Sequence, residues 1–549
     1  MRPTRSSLIV SGLFLAVVAI LVPAHPSSLN YRLILVISVD QMRYDYLTRF
    51  RDLYKGGFRE LLDHGAVFSN ANYRHANTET GPGHSVILSG RHASHSGILM
   101  NRWYDSFLRK AVNVVDDPVQ SVIGGQGRSA SPTNFQGFTL GDVLKQKSPG
   151  SRVLTVALKD RAAILMAGRC ADGAFWFESE GGRFVTSSYY MKTSPKWLEE
   201  WNSRRFPDSY SGKSWTRLLS DESLYEKYAG KDDAPGEADG KDTVFPHVFH
   251  SKVGETRFYD ELRRSPYADE LVLSMATELL KAYDLGKGPS TDILGVGFSA
   301  TDYIGHTFGC DSQEIMDQML RLDQTLQKLF QAVDSRVKLS QTLIVLTADH
   351  GSMPLVESLR AKGIDARRVR SQELIAPVVK ALQAKYPNLQ GLVAFAEVPD
   401  FYLDEEVIAK HGIRREEVES TIASALLKTG FVEAVYTQSQ LMYASGDEDP
   451  YWSSYQNSFF QPRSPHIIAR LKKYIYLGDY PGGTGHGTPY EYDTHVPIVF
   501  LGSGITGGTY PNPCGPEDIA PTLAQLLGIE FPKESDSRLL TEMMGKKGD

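Results

Sequence analysis

Near-continuous apolar runs alternate along this chain with segments of helical, amphipathic period. Tyr31 to Val39, Val153 to Leu158, Ile293 to Phe298, Thr342 to Thr347 and Val496 to Leu501 are such runs, bounded by turn residues, as strands buried on both faces require. Glu270 to Tyr283 and Glu314 to Val333 read as helices. The alternation predicts an α/β fold, a largely parallel central sheet flanked by helices.

Two stretches break this order. Residues 160–265 are rich in Trp, Tyr, Ser and Gly and include the polar tract Gly230 to Asp242, the composition of an inserted cap with an exposed loop. Residues 356–480 read as helix (Gln372 to Lys385), strand (Leu392 to Val398), strand (Phe401 to Leu403), helix (Arg415 to Thr429) and strand (Val432 to Tyr436), which predicts a small α+β insertion. Both lie inside one catalytic domain expected to span 25–549, because 549 residues exceed what a single plain core serves.

Composition narrows the function classes. The formal charge is −6 with no basic run, which argues against a nucleic-acid backbone as the main partner. Arg2 and Arg5, the apolar stretch Leu8 to Val22 and the small residues of Val22-Pro23-Ala24 read as a signal peptide over residues 1–24. The stretch is shorter than the roughly 20 residues a bilayer span needs, although an uncleaved anchor would have the same flanks. No cysteine sits at the cleavage point for a lipid anchor, and removal of the two arginines leaves −8. The expectation is a periplasmic or secreted monomer with no stable membrane span. Cys170, Cys310 and Cys514 allow one disulfide at most, and three buried small hydrophobes is the equal alternative.

Against this background five short segments carry chemistry: Ser-Val-Asp40, Thr80-Gly-Pro-Gly-His84, Asp302-Tyr-Ile-Gly-His306, Ala-Asp349-His350-Gly and Gly-His486-Gly-Thr. Each has a plain reading of its own. Asp40 could cap a helix, Asp302 and His306 could be a surface pair one turn apart, and His486 could lie in a flexible glycine loop. Asp349-His350, on the turn after a buried strand, has little structural purpose. With Thr80 and His84 set aside, three Asp and three His remain, an oxygen and nitrogen donor set with no thiolate, as two zinc ions require. Asp40, Asp302, Asp349 and His350 also each follow a strand by a few residues, which places them on the sheet edge where α/β folds build sites. Thr80 opens a helix running to Ser89, where it is either an N-cap or a nucleophile favoured by the helix dipole.

The order of these elements, over residues 33–530, resembles the alkaline phosphatase superfamily, and within it the threonine-nucleophile bacterial alkaline phosphatases of the PafA and PhoK type. Asn101 in His95-Ser-Gly-Ile-Leu-Met-Asn101 and Lys159 and Arg161 in Ala-Leu-Lys159-Asp-Arg161 also look like that type. The resemblance implies an alkaline-phosphatase-like sandwich in which Asp40, Asp349, His350 and Thr80 hold one zinc and Asp302, His306 and His486 the other. It implies hydrolysis of small-molecule phosphate monoesters through a phosphothreonine on Thr80, with Asn101, Lys159 and Arg161 on the phosphoryl oxygens. A solvated loop pair is the alternative for Lys159 and Arg161. A nucleotide pyrophosphatase or phosphodiesterase on the same metal set is the runner-up. A sulfatase needs Cys or Ser followed by Pro and Arg, and Thr80 and His84 depart from both; a non-catalytic binding protein would have lost ligands.

Overall fold

The computed structural model describes residues 31–237, 242–444, 446, 448–532 and 537–545. The signal-peptide expectation for residues 1–24 lies outside them. Five parallel strands form the centre of a ten-stranded sheet: β1 (Leu33–Val39), β2 (Val153–Ala157), β3 (Gly173–Glu178), β4 (Asp292–Phe298) and β5 (Thr342–Thr347). Their spatial order is β5-β1-β4-β2-β3. Of the five runs expected for the central sheet, four match β1, β2, β4 and β5 within two residues, whereas β3 lies in the stretch expected to be an inserted cap. The fifth run, Ile498–Leu501, pairs antiparallel with β5 and starts two residues later than expected. Antiparallel strands also extend the opposite edge, so the sheet is parallel at its centre and mixed outside.

β1 is buried along its whole length. Leu33, Leu35, Ile37 and Val39 enter one core, and Ile34 and Val36 enter the core on the other face, as period-two side chains in a covered sheet must. Register then sets the edge: Val39 pairs with Phe298, Ser38 with Thr347, and Gly297 with Ala157. The four strands therefore end in line, and the residues just beyond them, Asp40, Lys159, Asp302 and Asp349, share one rim.

Three helices bring the remaining chemistry to that rim, α1 (Thr80–Ser89), α2 (Asp160–Ala167) and α3 (Ala300–Phe308), and α4 (Gln313–Arg336) packs against α3. Gly83 of α1 lies so close to β5 that a Cβ there would sit 2.2 Å from the Asp349 carbonyl oxygen. Residues 356–480 build a separate four-stranded sheet with its own apolar core of Leu374, Phe401, Val418, Ile422 and Ile467. Segments of 196–263 pack onto the main core around Trp201, Trp215 and Tyr225. All three cysteines are free thiols; Cys310 and Cys514 are buried and Cys170 is exposed. Among the described residues no helix is long and apolar enough to cross a membrane.

Asp317 on α4 ties the 214–225 segment to the body. Its fully buried carboxylate accepts from Trp215 Nε1 at 2.7 Å, Leu218 N at 2.6 Å, Tyr225 OH at 2.5 Å and Arg321 Nε at 2.6 Å. Replacing Asp317 with Ala strands these donors and the Arg321 charge, so urea unfolding should show a loss of about 3–5 kcal/mol. A loss below about 1 kcal/mol would show that water replaces the carboxylate.

Candidate active site

Thr80 is the first residue of α1, and Glu79 before it is the N-cap position. Its hydroxyl does not cap the helix. Lys159 Nζ lies 3.3 Å and Arg161 NH2 3.4 Å from Thr80 Oγ, so the hydroxyl faces two cations at a helix N-terminus, a place for negative charge. Lys159 is 4 % exposed, which removes the solvated-loop reading of this residue. Asn101 completes the pocket. Its Oδ1 accepts from Gly81 N at 2.8 Å and its main-chain N donates to Glu79 Oε2 at 2.7 Å, so the side-chain amide nitrogen is turned to the donor side.

The acidic rim is held together by opposite charge. Lys159 Nζ is 2.8 Å from Asp40 Oδ2 and 2.5 Å from Asp302 Oδ2. Burial works against the ammonium, but Asp302 and Asp40 overcome it and hold the Lys159 pKa above the usual lysine range. Burial likewise opposes charge on Asp302, and Lys159 and His306 hold its pKa well below the usual carboxylate range; His350 and His84 do the same for Asp349. His84 Nε2 is 3.2 Å from Asp40 Oδ1 and its Nδ1 is 3.3 Å from Asp349 Oδ2. Burial alone would depress His84, and the two carboxylates push its pKa up to about 9.

The histidines are oriented for a metal. Nδ1 of His306 lies 2.8 Å from the Thr484 carbonyl, Nδ1 of His486 2.8 Å from that of Thr78, and Nδ1 of His350 2.9 Å from that of Gly351. A carbonyl only accepts, so each Nδ1 carries a proton, and Nε2 is the ring nitrogen left to face the carboxylates or a metal. His350 Nε2 and Asp349 Oδ2 are buried 3.3 Å from each other with no well-aligned hydrogen bond among the described residues, as atoms that share a metal are. Two groups have donor atoms within 4.8 Å of one another: Asp302, His350 and His486, and Asp40, His84 and Asp349. His306 Nε2 stands 3.2 Å from Asp302 Oδ1, and the His350 and His486 rings stack at 3.6 Å. All seven expected ligands thus meet at one place. His84 stands beside Asp40 and Asp349, and His350 lies between the groups, its Nε2 3.3 Å from Asp349 Oδ2 and near Asp302 and His486. The nitrogen and oxygen donors fit divalent metal ions.

Sequence reasoning set His84 aside and missed Gln41, Glu79 and Tyr303, whose ring lies 5.2 Å from Lys159 Nζ. The one available signal was the spacing of Thr80 and His84, one helical turn apart. Beside the rim a cleft of about 480 Å³ is lined by Asn101, His306 and His486 on one side and by Glu397, Arg470 and Tyr476 of the 356–480 segment on the other. Arg102 spans it, with Nε 3.0 Å from Glu397 Oε2 and NH2 2.9 Å from Oε1.

Fold and rim together define an enzyme of the alkaline phosphatase superfamily. The chain belongs to the type I phosphodiesterase / nucleotide pyrophosphatase family, whose model matches residues 34–489. It is 33 % identical to the alkaline phosphatase PafA of Elizabethkingia meningoseptica over 94 % of this chain and 95 % of that protein. It is also 33 % identical to the alkaline phosphatase PhoK of Sphingomonas sp, over 94 % and 92 % of the two chains. The crystal structure of wild-type PafA superposes with a TM-score of 0.87 at 31 % identity, covering 94 % of this chain and 99 % of that one.

Behind α1, His75 is 1 % exposed, and neither ring nitrogen has a hydrogen-bond partner among the described residues. Burial, with His92 and His350 nearby, lowers its pKa from 6.5 to about 3. The unfolded chain therefore binds one more proton than the fold between those values, so His75 contributes stability above pH 6.5 that is lost as pH falls toward 3. In metal-free protein His75→Phe should flatten the stability–pH curve across this window by about one proton, or about 1.4 kcal/mol per pH unit. Denaturant unfolding at several pH values checks this, and parallel curves would show that His75 takes up its proton inside the fold.

Proposed function

We propose that the chain hydrolyses phosphate monoesters as an alkaline phosphatase with two zinc ions, through a phosphothreonine on Thr80. The observation that carries this reading is the convergence on the Thr80 hydroxyl of two cations, the buried Lys159 and the half-buried Arg161, beside a rim of paired carboxylates and imidazoles. Asp40, Asp349, His350 and Thr80 would hold one ion and Asp302, His306 and His486 the other, with His84 adjoining the first group. Bound there, the ions would supply Lewis-acid stabilisation of the attacking and leaving oxygens. Thr80 Oγ attacks phosphorus in line, the ester oxygen leaves toward the cleft, and water then releases phosphate from Thr80. Lys159, Arg161 and the Asn101 amide hold the non-bridging oxygens by charge-assisted hydrogen bonds.

A monoester carries about two charges on three non-bridging oxygens; a diester carries one and needs room for a second organic group. Cations beyond the metal pair therefore favour a monoester. This separates the reading from the phosphodiesterase alternative that the family's description includes. Small-molecule esters are the substrates, and the charge and N-terminal sequence support an exported monomer acting in the periplasm or outside the cell. Residues 25–549 then form one catalytic domain, with 356–480 as an insertion and the part of 160–265 beyond the main-sheet strands at 173–187 as another.

Thr80→Ala should leave no covalent phosphate on protein quenched during turnover, since alanine offers no oxygen. Label retained on the variant would move the nucleophile elsewhere. Replacing both Lys159 and Arg161 with Ala should cost monoester hydrolysis on the order of 10²–10³-fold or more in kcat/KM. Hydrolysis of the matching methyl diester should fall much less, with metal content unchanged. Equal losses on both esters would show that the pair acts through general positioning.

A further inference from the structure

Gln41, like Lys159, reaches both metal groups, and it does so from main chain and side chain at once. Its main-chain N donates to Asp349 Oδ1 at 3.0 Å, and its side-chain Nε2 donates to Asp302 Oδ1 at 2.9 Å. It directly follows Asp40, whose own N is held by the Phe298 carbonyl at 2.9 Å. One dipeptide thus contains one candidate ligand and orients two others, each from a different strand.

The backbone there is not what a glutamine adopts freely. Gln41 has φ of +61°, in the left-handed region that glycine enters without penalty and other residues enter only when their surroundings hold them. The bond to Asp349 needs only a peptide N–H, which glycine would supply. What glycine lacks is the amide that reaches Asp302. The side chain is fully buried, and the neighbouring helix makes room for it: a Cβ on Gly305 would stand 1.9 Å from Gln41 Oε1. A strained backbone and a glycine on the facing helix both serve to place one donor.

We propose that Gln41 is a positioning residue that couples the two metal groups. Metal bound by Asp40 and Asp349 fixes the Asp40–Gln41 peptide, and the fixed peptide aims Nε2 at Asp302, so filling one group prepares the other. Partners that orient ligating carboxylates are commonly worth about 10–100-fold in metal affinity. The coupling is reciprocal, as any linkage between two binding steps is.

This inference rests on the two-zinc reading, and the test separates the two. Full-length protein stripped by a chelator is titrated with zinc against a chromophoric competitor, and cobalt-substituted protein is followed by its visible spectrum. Wild type should bind two zinc ions cooperatively. Gln41→Met, which keeps the volume and loses the donor, should bind one ion about 10–100-fold more weakly, with cooperativity gone and the spectrum of that site altered. Gln41→Gly should weaken the same site while the metal-free protein melts at the wild-type temperature or above it. Gly305→Ala, which pushes the unaltered glutamine aside, should reproduce the loss and serves if the Met variant does not fold. Fewer than two zinc ions on wild type would overturn the two-zinc reading itself. Two ions on wild type, with unchanged affinities and cooperativity in the variants, would overturn the role of Gln41 alone.

Discussion

Three buried carboxylates on one rim, Asp40, Asp302 and Asp349, are the constraint around which the rest of this structure is arranged. Each is at most 3 % exposed, and carboxylates withdrawn from water repel one another strongly unless cations or donors answer them. Lys159 joins Asp40 to Asp302, and His84 joins Asp40 to Asp349. Both partners are themselves buried and hold their protons because of those carboxylates. The same need explains the direction of the imidazoles, each turned so that Nε2 faces the acidic rim while Nδ1 is tied to a carbonyl.

Such a rim requires main chain and side chains to approach more closely than ordinary packing allows, and glycines mark the seams. A Cβ on Gly351 would meet the Tyr492 carbonyl at 2.2 Å, and one on Gly483 would meet the His306 carbonyl at 2.2 Å. Across these contacts the loop carrying His486 is stitched to its neighbours: Gly351 N donates to the Asp493 carbonyl at 2.7 Å, Met353 N to that of Gly485 at 3.0 Å, and Thr484 N to that of His306 at 3.0 Å. The loop that the glycines of Pro-Gly-Gly-Thr-Gly-His-Gly-Thr suggest is thus a braced one. Bracing explains how a histidine 136 residues beyond His350 along the chain stacks on it at 3.6 Å. It also explains why the 356–480 segment can leave between these ligands and return over the cleft without disturbing the rim.

What the sequence determined by itself was whatever follows from local period and spacing. Runs buried on both faces announced four of the five parallel strands within two residues, while β3 went unannounced inside a stretch whose composition suggested a cap, and a strand that ends in Asp puts that Asp on the functional edge wherever its neighbours lie. Ile498–Leu501 shows the limit: its apolar run gave its presence, while its antiparallel direction depends on where the intervening chain re-enters the sheet. Thr80, Lys159 and Arg161 were legible only by likeness to a family, because an N-cap threonine and a solvated basic pair have the same local sequence. Only the tertiary structure removed the N-cap reading of Thr80 and the solvated reading of Lys159, since burial is a property of what packs around a residue. It alone placed His84 between two carboxylates, set Gln41 in a left-handed turn with its amide on Asp302, and stacked His350 against His486. Each of these depends on contacts between segments far apart in the chain, where distance and the cost of burying charge decide the arrangement and periodicity carries no signal.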